Sequence, residues 1–95
     1  MIVRATERAT AEYRAAYEWY DERSPQAARR FALSLDEVLE RLQVFPSMGA
    51  VVRGRTHRVR IPRYPWAAYY VIEDDTVLIV RVVHDRRSRE LLELP

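Results

Sequence analysis

The sequence predicts an α+β fold in which an antiparallel pair of helices covers one face of an antiparallel sheet. Three observations indicate it: a short apolar segment at the start, two amphipathic helical segments joined by Ser24-Pro25, and β-rich segments after Pro46. When strands and helices are segregated along a chain in this way, the helices pack on one side of the sheet. With 95 residues, 48% of them hydrophobic, residues 1–95 are expected to form a single domain.

The strongest strand signal is a hairpin within 65–87. Residues 66–72 and 77–83 are rich in Val, Ile, Tyr and Trp, which favour strands, and Asp74-Asp75 between them suits a turn. A two-residue loop puts alternate residues on one face: Trp66, Ala68, Tyr70, Ile72, Val77, Ile79, Arg81 and Val83. Ala67, Tyr69, Val71, Leu78, Val80, Val82 and His84 then share the other face. A register slip of one residue would exchange the two sets.

Both faces of this hairpin are largely apolar, so both need cover. The predicted helices can cover only one of them well. We expect the face that carries Trp66, Tyr70 and Arg81, together with Val77, Ile79 and Val83, to be left for a partner protein.

The helices are predicted from periodicity and capping residues. Thr6 is a candidate N-cap for a helix that runs to about Arg23, whose apolar stripe comprises Ala9, Tyr13, Ala16, Tyr17 and Tyr20. Glu12 lies off this stripe. Ser24-Pro25 starts a second helix that ends before Pro46, with Ala28, Phe31, Leu35, Val38, Leu39 and Leu42 on its apolar face.

Shorter segments complete the predicted sheet. Residues 1–5 are interpreted as an edge strand, and 51–54 and 57–61 as two further strands. In the last of these, Val59 and Ile61 point to the core, and Arg58 and Arg60 point outward. His57 is expected in a surface loop. The tail, 88–95, is expected to dock as a strand or a helical turn, or to stay mobile.

Composition narrows the classes of function. The chain has no cysteine, which excludes disulfides and thiolate metal sites, and no metal or cofactor is expected. All 16 residues counted as Lys or Arg are arginine, and the acidic residues concentrate in 7–40, away from the arginine-rich run 53–63. The first residues carry no long apolar run, so the expected location is the cytoplasm and no membrane association is expected.

The order and spacing of several short motifs resemble the RelE/ParE superfamily of toxins from type II toxin–antitoxin pairs. The motifs are Trp19-Tyr20, Ser24-Pro25, Arg30-Phe31, Leu39-Glu40-Arg41-Leu42, Phe45-Pro46, the run from Arg58 to Pro65, Tyr69-Tyr70, Glu73-Asp74-Asp75, and Val82-Val83-His84 with Arg87. The resemblance spans nearly the whole chain. It implies the fold predicted above, toxicity, and neutralisation by a cognate antitoxin, in a homodimer or a toxin–antitoxin hetero-oligomer.

The resemblance leaves two classes of target open. RelE-like members cut messenger RNA on the ribosome, and ParE-like members act on DNA gyrase without known nuclease activity. A RelE-like enzyme usually has a tyrosine shortly after the last strand's histidine, whereas the sequence here is His84-Asp85-Arg86-Arg87-Ser88-Arg89-Glu90. This difference favours the ParE-like, plasmid-stabilisation type over the metal-independent endoribonuclease. A degenerate chain that binds its antitoxin without being toxic is the third interpretation.

The candidate site residues follow from these alternatives. For RNA cleavage, Arg60 and Arg81 would hold the phosphate, and His84 would act as the acid or base. The candidate binding residues are Arg58, Arg60, Arg81, Arg86, Arg87, Trp66 and Tyr70. Arg81 is interpreted either as a cation stacked between Trp66 and Tyr70 or as the partner of an antitoxin carboxylate. His84 is also explained as a packed residue at a strand end.

Overall fold

The computed structural model describes residues 1–87 and 92–95. Its elements in chain order are β1 (Ile2–Ala5), α1 (Glu7–Arg23), α2 (Pro25–Val44), β2 (Ala50–Arg53), β3 (Thr56–Arg60), β4 (Trp66–Glu73) and β5 (Thr76–His84). The strands form one sheet in the order β1-β5-β4-β3-β2. The predicted α+β fold is therefore confirmed. Within the described ranges, no helix is long and apolar enough to cross a membrane.

The helix ends lie where the capping residues predict them. The hydroxyl of Thr6 accepts a hydrogen bond from the backbone N–H of Ala9 at 3.1 Å, and that of Ser24 accepts one from Ala27 at 3.2 Å. Each bond satisfies one of the backbone donors that the first helical turn leaves unpaired. Pro25 occupies the start of α2, where its missing N–H costs nothing.

Strand β1 lies at one edge of the sheet, as predicted, but runs parallel to β5. Ile2 pairs with Thr76 and Ala5 with Ile79, whereas the other three strand pairs are antiparallel. The sheet is thus mixed. The parallel pairing arises because α1 and α2 lie between β1 and the rest of the sheet in sequence, which allows a crossover to the far side of the hairpin.

The β4–β5 hairpin has the predicted two-residue turn but not the predicted register throughout. Asp74 adopts a positive φ of 54°, which aspartate tolerates better than branched residues do. Pairs on the turn side are as expected, including Ile72 with Val77 and Tyr70 with Ile79. Tyr69 then pairs with Arg81, so Val80 is an extra residue in β5, a β-bulge.

The bulge shifts the pairing for the rest of the hairpin. Beyond it, Ala68 pairs with Val82 and Trp66 with His84, so His84 lies beside Trp66 and not on the opposite face. The predicted faces of Val82, Val83 and His84 are therefore wrong, because one inserted residue reverses the alternation beyond it, whereas Val80 lies on its predicted face.

The helices cover the face that the sequence assigned to a partner. Tyr70, Val77 and Ile79 are buried against α1 and α2 in the main core, which also contains Phe31, Leu35, Val38, Leu42 and Ile61. Trp66 packs at the edge of this core. That expectation is thus wrong, because the apolar stripes of α1 and α2 pack against this face.

A smaller cluster lies on the opposite face of the sheet. It contains Ala67, Tyr69, Val83 and Leu92, with Val52, Val80 and Leu94 packed around it. Leu92 is 3% exposed, and the carbonyl of Pro95 accepts a 2.6 Å hydrogen bond from the Thr56 hydroxyl. The residues of the tail from 92 onward therefore lie against this face, while the predictions for 88–91 lie outside the described residues.

Candidate functional site

Two guanidinium groups converge on a single carboxylate where β3 and β5 end. Nη2 of Arg58 lies 2.6 Å from Oδ1 of Asp85, and Nη2 of Arg60 lies 2.9 Å from Oδ2. The side chains of Arg58 and Asp85 are about a quarter exposed, and that of Arg60 is 61% exposed. We call Arg58, Arg60 and Asp85 the arginine clamp.

The alternation of β3 and the end of β5 build the clamp. Arg58 and Arg60 are two residues apart on β3 and therefore point to the same side of the sheet. Arg58 pairs with Tyr69, and its Nε donates to the Tyr69 hydroxyl at 3.2 Å. Asp85 is held by its backbone N–H, which donates to the carbonyl of Pro65 at 2.8 Å. The backbone of the arginines is thus held by the pairing of β3 with β4, and that of Asp85 by its hydrogen bond to Pro65.

An apolar cavity of about 420 Å³ opens between α1 and the hairpin. It is lined by Ala15, Ala16, Trp19, Tyr20, Pro65, Trp66 and His84, and we call it the tryptophan pocket. The indole N–H of Trp66 donates to the Tyr20 hydroxyl at 3.1 Å, and the Trp66 ring meets the His84 ring edge-on at 5.4 Å. These contacts fix the pocket walls.

Trp19 forms the exposed wall of the tryptophan pocket. Its side chain is 50% exposed, and the guanidinium carbon of Arg23 lies 3.7 Å from the ring centroid. Arg23 also donates to the backbone carbonyl of Trp19 at 2.7 Å. A large aromatic ring that is held in one orientation yet half exposed is available for contact with a partner.

His84 has one ring nitrogen engaged within its own turn. Nδ1 accepts a 3.1 Å hydrogen bond from the backbone N–H of Arg86, so the proton of the neutral ring lies on Nε2. A second cavity, about 240 Å³, adjoins the ring and is also lined by Glu12 and Arg87. His84 is therefore accessible from the helix side of the sheet.

Arg81 lies in the interior beneath α1. Its side chain is 2% exposed, and Nε and Nη2 donate to the carboxylate of Glu12 at 2.8–3.1 Å. Its Nη1 is buried without a hydrogen-bond partner among the described residues. A guanidinium in this position neutralises an internal carboxylate and does not face solvent.

Comparison with known proteins places this fold in a family. Residues 3–89 match the family model for the ParE toxin of the type II toxin–antitoxin system parDE. The chain belongs to the ParE toxin family. Its fold is similar to a chain from the chromosomal ParDE toxin–antitoxin system of P. aeruginosa, with a TM-score of 0.76 and 22% sequence identity. The similarity covers 88% of this chain and 95% of that one. No curated protein sequence matches the chain.

In the structure of this ParE-family toxin, the three residues proposed for RNA cleavage have different partners. Arg60 binds Asp85, Arg81 binds Glu12, and His84 lines the tryptophan pocket. Arg81 is not stacked between Trp66 and Tyr70, because its guanidinium reaches α1. The bulge at Val80 interrupts the alternation that was expected to put Arg81 and His84 on opposite faces, but the two side chains have different partners.

The other predicted binding residues also differ in accessibility. Arg86 and Arg87 are exposed, and Trp66 is partly exposed at the pocket. Tyr70 is fully buried, and its hydroxyl donates to the carbonyl of Pro46 at 2.7 Å. His57 lies in β3, not in a loop, and its ring stacks on Tyr70 at 4.9 Å. Tyr70 and His57 therefore hold the 46–50 loop from inside.

Two acidic residues that organise the site were missed by the sequence analysis. Glu12 was assigned to the polar surface of α1, yet it follows Ala9 by three residues and precedes Ala16 by four, a spacing that puts it on the buried side. Asp85 interrupts a run of basic residues immediately after the last strand. In both cases the signal that could have indicated an internal partner was an acid placed among core or basic positions.

Proposed function

We propose that this chain arrests bacterial growth by binding a protein target such as DNA gyrase in the cytoplasm, and that a cognate antitoxin neutralises it. The observation that carries the proposal is the match of residues 3–89 to the ParE toxin model, which covers all seven structural elements except the first residue of β1. The printed name of the related structure, a ParDE toxin–antitoxin system, supports an antitoxin as partner.

The arrangement of charged side chains supports inhibition by binding over RNA cleavage. Cleavage requires cations at the scissile phosphate and an acid and base placed around it. Arg81 could reach a phosphate only by leaving Glu12, and that would deprive the Glu12 carboxylate, which is only 19% exposed, of its counterion. Ribosome-dependent cleavage by Arg60, Arg81 and His84 is therefore the second candidate.

The tryptophan pocket supports a protein target. Its walls are aromatic and apolar, and Trp19 at its mouth is half exposed. Aromatic residues around a preformed pocket are typical of the sites that contribute most to protein–protein affinity. The pocket therefore gives the proposed inhibitor a surface on which a side chain of the target can be anchored.

Induction of the chain alone in bacteria tests toxicity, and co-expression with the protein encoded beside it tests neutralisation. We expect growth arrest that the neighbour relieves. Purified chain should also inhibit supercoiling by gyrase, and ribosome-bound messenger RNA should stay intact in a translation extract. Codon-specific cleavage in that extract would favour the endoribonuclease. Normal growth with verified folded protein would leave the degenerate, antitoxin-binding chain.

A further inference from the structure

The tryptophan pocket and the second cavity beside His84 are two parts of one groove. Both are lined by Ala15, Trp66 and His84, so they share a wall on α1 and a wall on the hairpin. Along α1 the lining residues extend from Trp19 to Glu12, which is about 10 Å of helix. We call this combined cavity the α1 groove. It is long enough for a short polypeptide segment.

Small side chains form the middle of the α1 groove. Ala15 is exposed there, and its neighbour Ala16 is 2% exposed. On the opposite wall, Pro65 is exposed and Trp66 is partly buried. Because methyl groups leave room above α1, a bound segment can bring its backbone close to the helix, as in the groove-binding mode of peptide recognition.

The two ends of the α1 groove differ in their charge balance. At the Trp19 end, Arg23 stacks on the ring and lies 3.8 Å from the Glu22 carboxylate, so this cation has a counterion. At the other end, Arg87 lines the groove and is exposed. Among residues 1–87 and 92–95, no hydrogen bond or ion pair engages the Arg87 guanidinium. Unbalanced positive charge therefore lies at one end of the groove.

Glu12 lines the same end but does not balance Arg87. Its carboxylate accepts three hydrogen bonds from Arg81 and one from the backbone N–H of Val82, and its side chain is 19% exposed. Glu12 and Arg81 thus neutralise each other. His84 adds a neutral donor, because Nε2 carries the proton of its ring. A carboxylate that enters this end meets an unpaired guanidinium, the stronger kind of hydrogen-bond donor.

We propose that the α1 groove binds a segment of the target protein that carries a large apolar side chain and, about 10 Å away, an acidic side chain. The apolar side chain enters the tryptophan pocket, and the carboxylate pairs with Arg87. One unpaired cation beside apolar walls suits such a segment, whereas a nucleic-acid backbone is bound by several cations. The inference rests on the proposed function for its choice of partner, since the groove continues the pocket assigned to the target.

Short random peptides displayed on phage test this chemistry without the target. The parent chain selects binders, and the Ala15→Leu chain removes those that bind elsewhere, because its added side chain fills the groove from an exposed position. We expect the retained peptides to combine an aromatic or large aliphatic residue with an aspartate or glutamate. Retained peptides without an acidic residue, or no peptide that distinguishes the two chains, would overturn the proposal.

Matched variants locate the two contacts of a retained, synthesised peptide. Arg87→Gln should weaken its binding about tenfold, because a hydrogen bond to a charged group is lost. Arg14→Gln removes the same charge from an exposed position of α1 outside the groove, and Ala11→Leu adds the same bulk as Ala15→Leu outside it. Both should bind as the parent does, with folding verified by circular dichroism and thermal unfolding. Equal losses for Arg14→Gln and Arg87→Gln, or for Ala11→Leu and Ala15→Leu, would overturn the proposal.

Gyrase and the protein encoded beside this chain test the choice of partner. Ala15→Leu should inhibit supercoiling at least about tenfold less well than the parent, while its affinity for the neighbouring protein stays unchanged. Weaker binding of the neighbour would assign the groove to the antitoxin and overturn its assignment to the target. A parent chain that leaves supercoiling intact would contradict the proposed function instead, and the peptide experiment would still decide whether the groove binds an acidic segment.

Discussion

Glu12 on α1 and Arg81 on β5 are joined by three hydrogen bonds across 69 positions of sequence, at 3.0, 3.1 and 2.8 Å. The same carboxylate accepts a 3.1 Å bond from the backbone N–H of Val82. Val82 follows the bulge at Val80 by two residues, so Glu12 satisfies a donor next to the point where the ladder is interrupted. The pair thus links α1 to the irregular part of β5.

Glu12→Ala should destabilise the fold strongly. Arg81 is 2% exposed, so its cation would be left buried without a counterion, a situation that costs about 3–5 kcal/mol. The measurement is the free energy of unfolding in urea. Glu18→Ala is the matched control, because Glu18 is exposed on the same helix and should change stability by less than about 0.5 kcal/mol. Equal losses for the two variants would contradict a central role for the pair.

This pair also marks the limit of what the sequence predicted. The helices, their caps and the turn at Asp74-Asp75 depend on neighbouring residues and were predicted correctly. The bulge at Val80 lies next to a backbone donor that is satisfied by Glu12, which is distant in sequence, and no local pattern indicated it. The faces of Val82, Val83 and His84 and the surroundings of Arg81 were assigned wrongly for that reason.

The candidate site was predicted in part. Local alternation identified Arg58 and Arg60 on one side of β3, and the strand end identified His84. Asp85 can act as the counterion of Arg58 and Arg60 only because the ends of β3 and β5 lie close together. That proximity is set by the pairing of strands in the sheet, which the sequence does not show directly. The sequence alone therefore did not predict the roles of residues whose partners are distant in sequence.

Tyr70→Phe should loosen the loop that joins α2 to β2. The hydroxyl of Tyr70 donates to the carbonyl of Pro46 at 2.7 Å and accepts from the backbone N–H of Gly49 at 3.0 Å. Gly49 is buried, so its donor would be left unsatisfied, at a cost of about 1–3 kcal/mol. Faster amide exchange at Gly49 and a lower urea midpoint would be observed.

Tyr17→Phe provides the comparison. The Tyr17 hydroxyl has no hydrogen-bond partner in the part of the chain that the structure describes, although its ring packs against the main core. We expect this variant to retain the parent's unfolding free energy within about 0.5 kcal/mol. A Tyr70→Phe chain as stable as Tyr17→Phe would show that the hydroxyl bonds contribute nothing.

Stability should fall at alkaline pH. Burial raises the pKa of Tyr70, against a smaller lowering by the Gly49 hydrogen bond, and burial with the nearby Asp36 charge raises the pKa of Tyr13. The folded state therefore holds these protons to higher pH than the unfolded state, whose tyrosines titrate near 10.0. The stabilisation from these two protonated tyrosines is fully present below pH 10.0. It is lost as the pH rises from there through the pKa values of the two tyrosines in the folded state.

Urea unfolding across the alkaline range measures this loss. Between the tyrosine pKa of the unfolded chain and that of the folded chain, only the folded chain keeps the proton. In this range each such tyrosine lowers the free energy of unfolding by up to about 1.4 kcal/mol per pH unit. Tyr70→Phe should show a shallower decline than the parent, because one of the two raised groups is absent. A parent chain whose stability is independent of pH above 10.0, the ordinary tyrosine pKa, would contradict the burial argument for both tyrosines.

Trp19→Ala should reduce growth arrest while leaving the fold intact. Trp19 is half exposed at the mouth of the tryptophan pocket, so its removal takes little buried area from the core. If the pocket anchors the protein target, loss of the Trp19 ring costs roughly 2 kcal/mol or more of binding free energy. That corresponds to about a 30-fold weaker affinity, measured as the concentration of toxin that halves supercoiling.

Val44→Ala tests whether any exposed apolar residue would have the same effect. Val44 is 68% exposed at the end of α2 and does not line the tryptophan pocket. We expect its inhibitory concentration to match the parent's, because an exposed valine outside the contact surface contributes little to binding. Circular dichroism confirms folding in both variants before activity is compared. Full inhibition by a folded Trp19→Ala chain would exclude the pocket as the anchor, since an aromatic ring that contacts the target in such a site cannot be removed without loss of affinity.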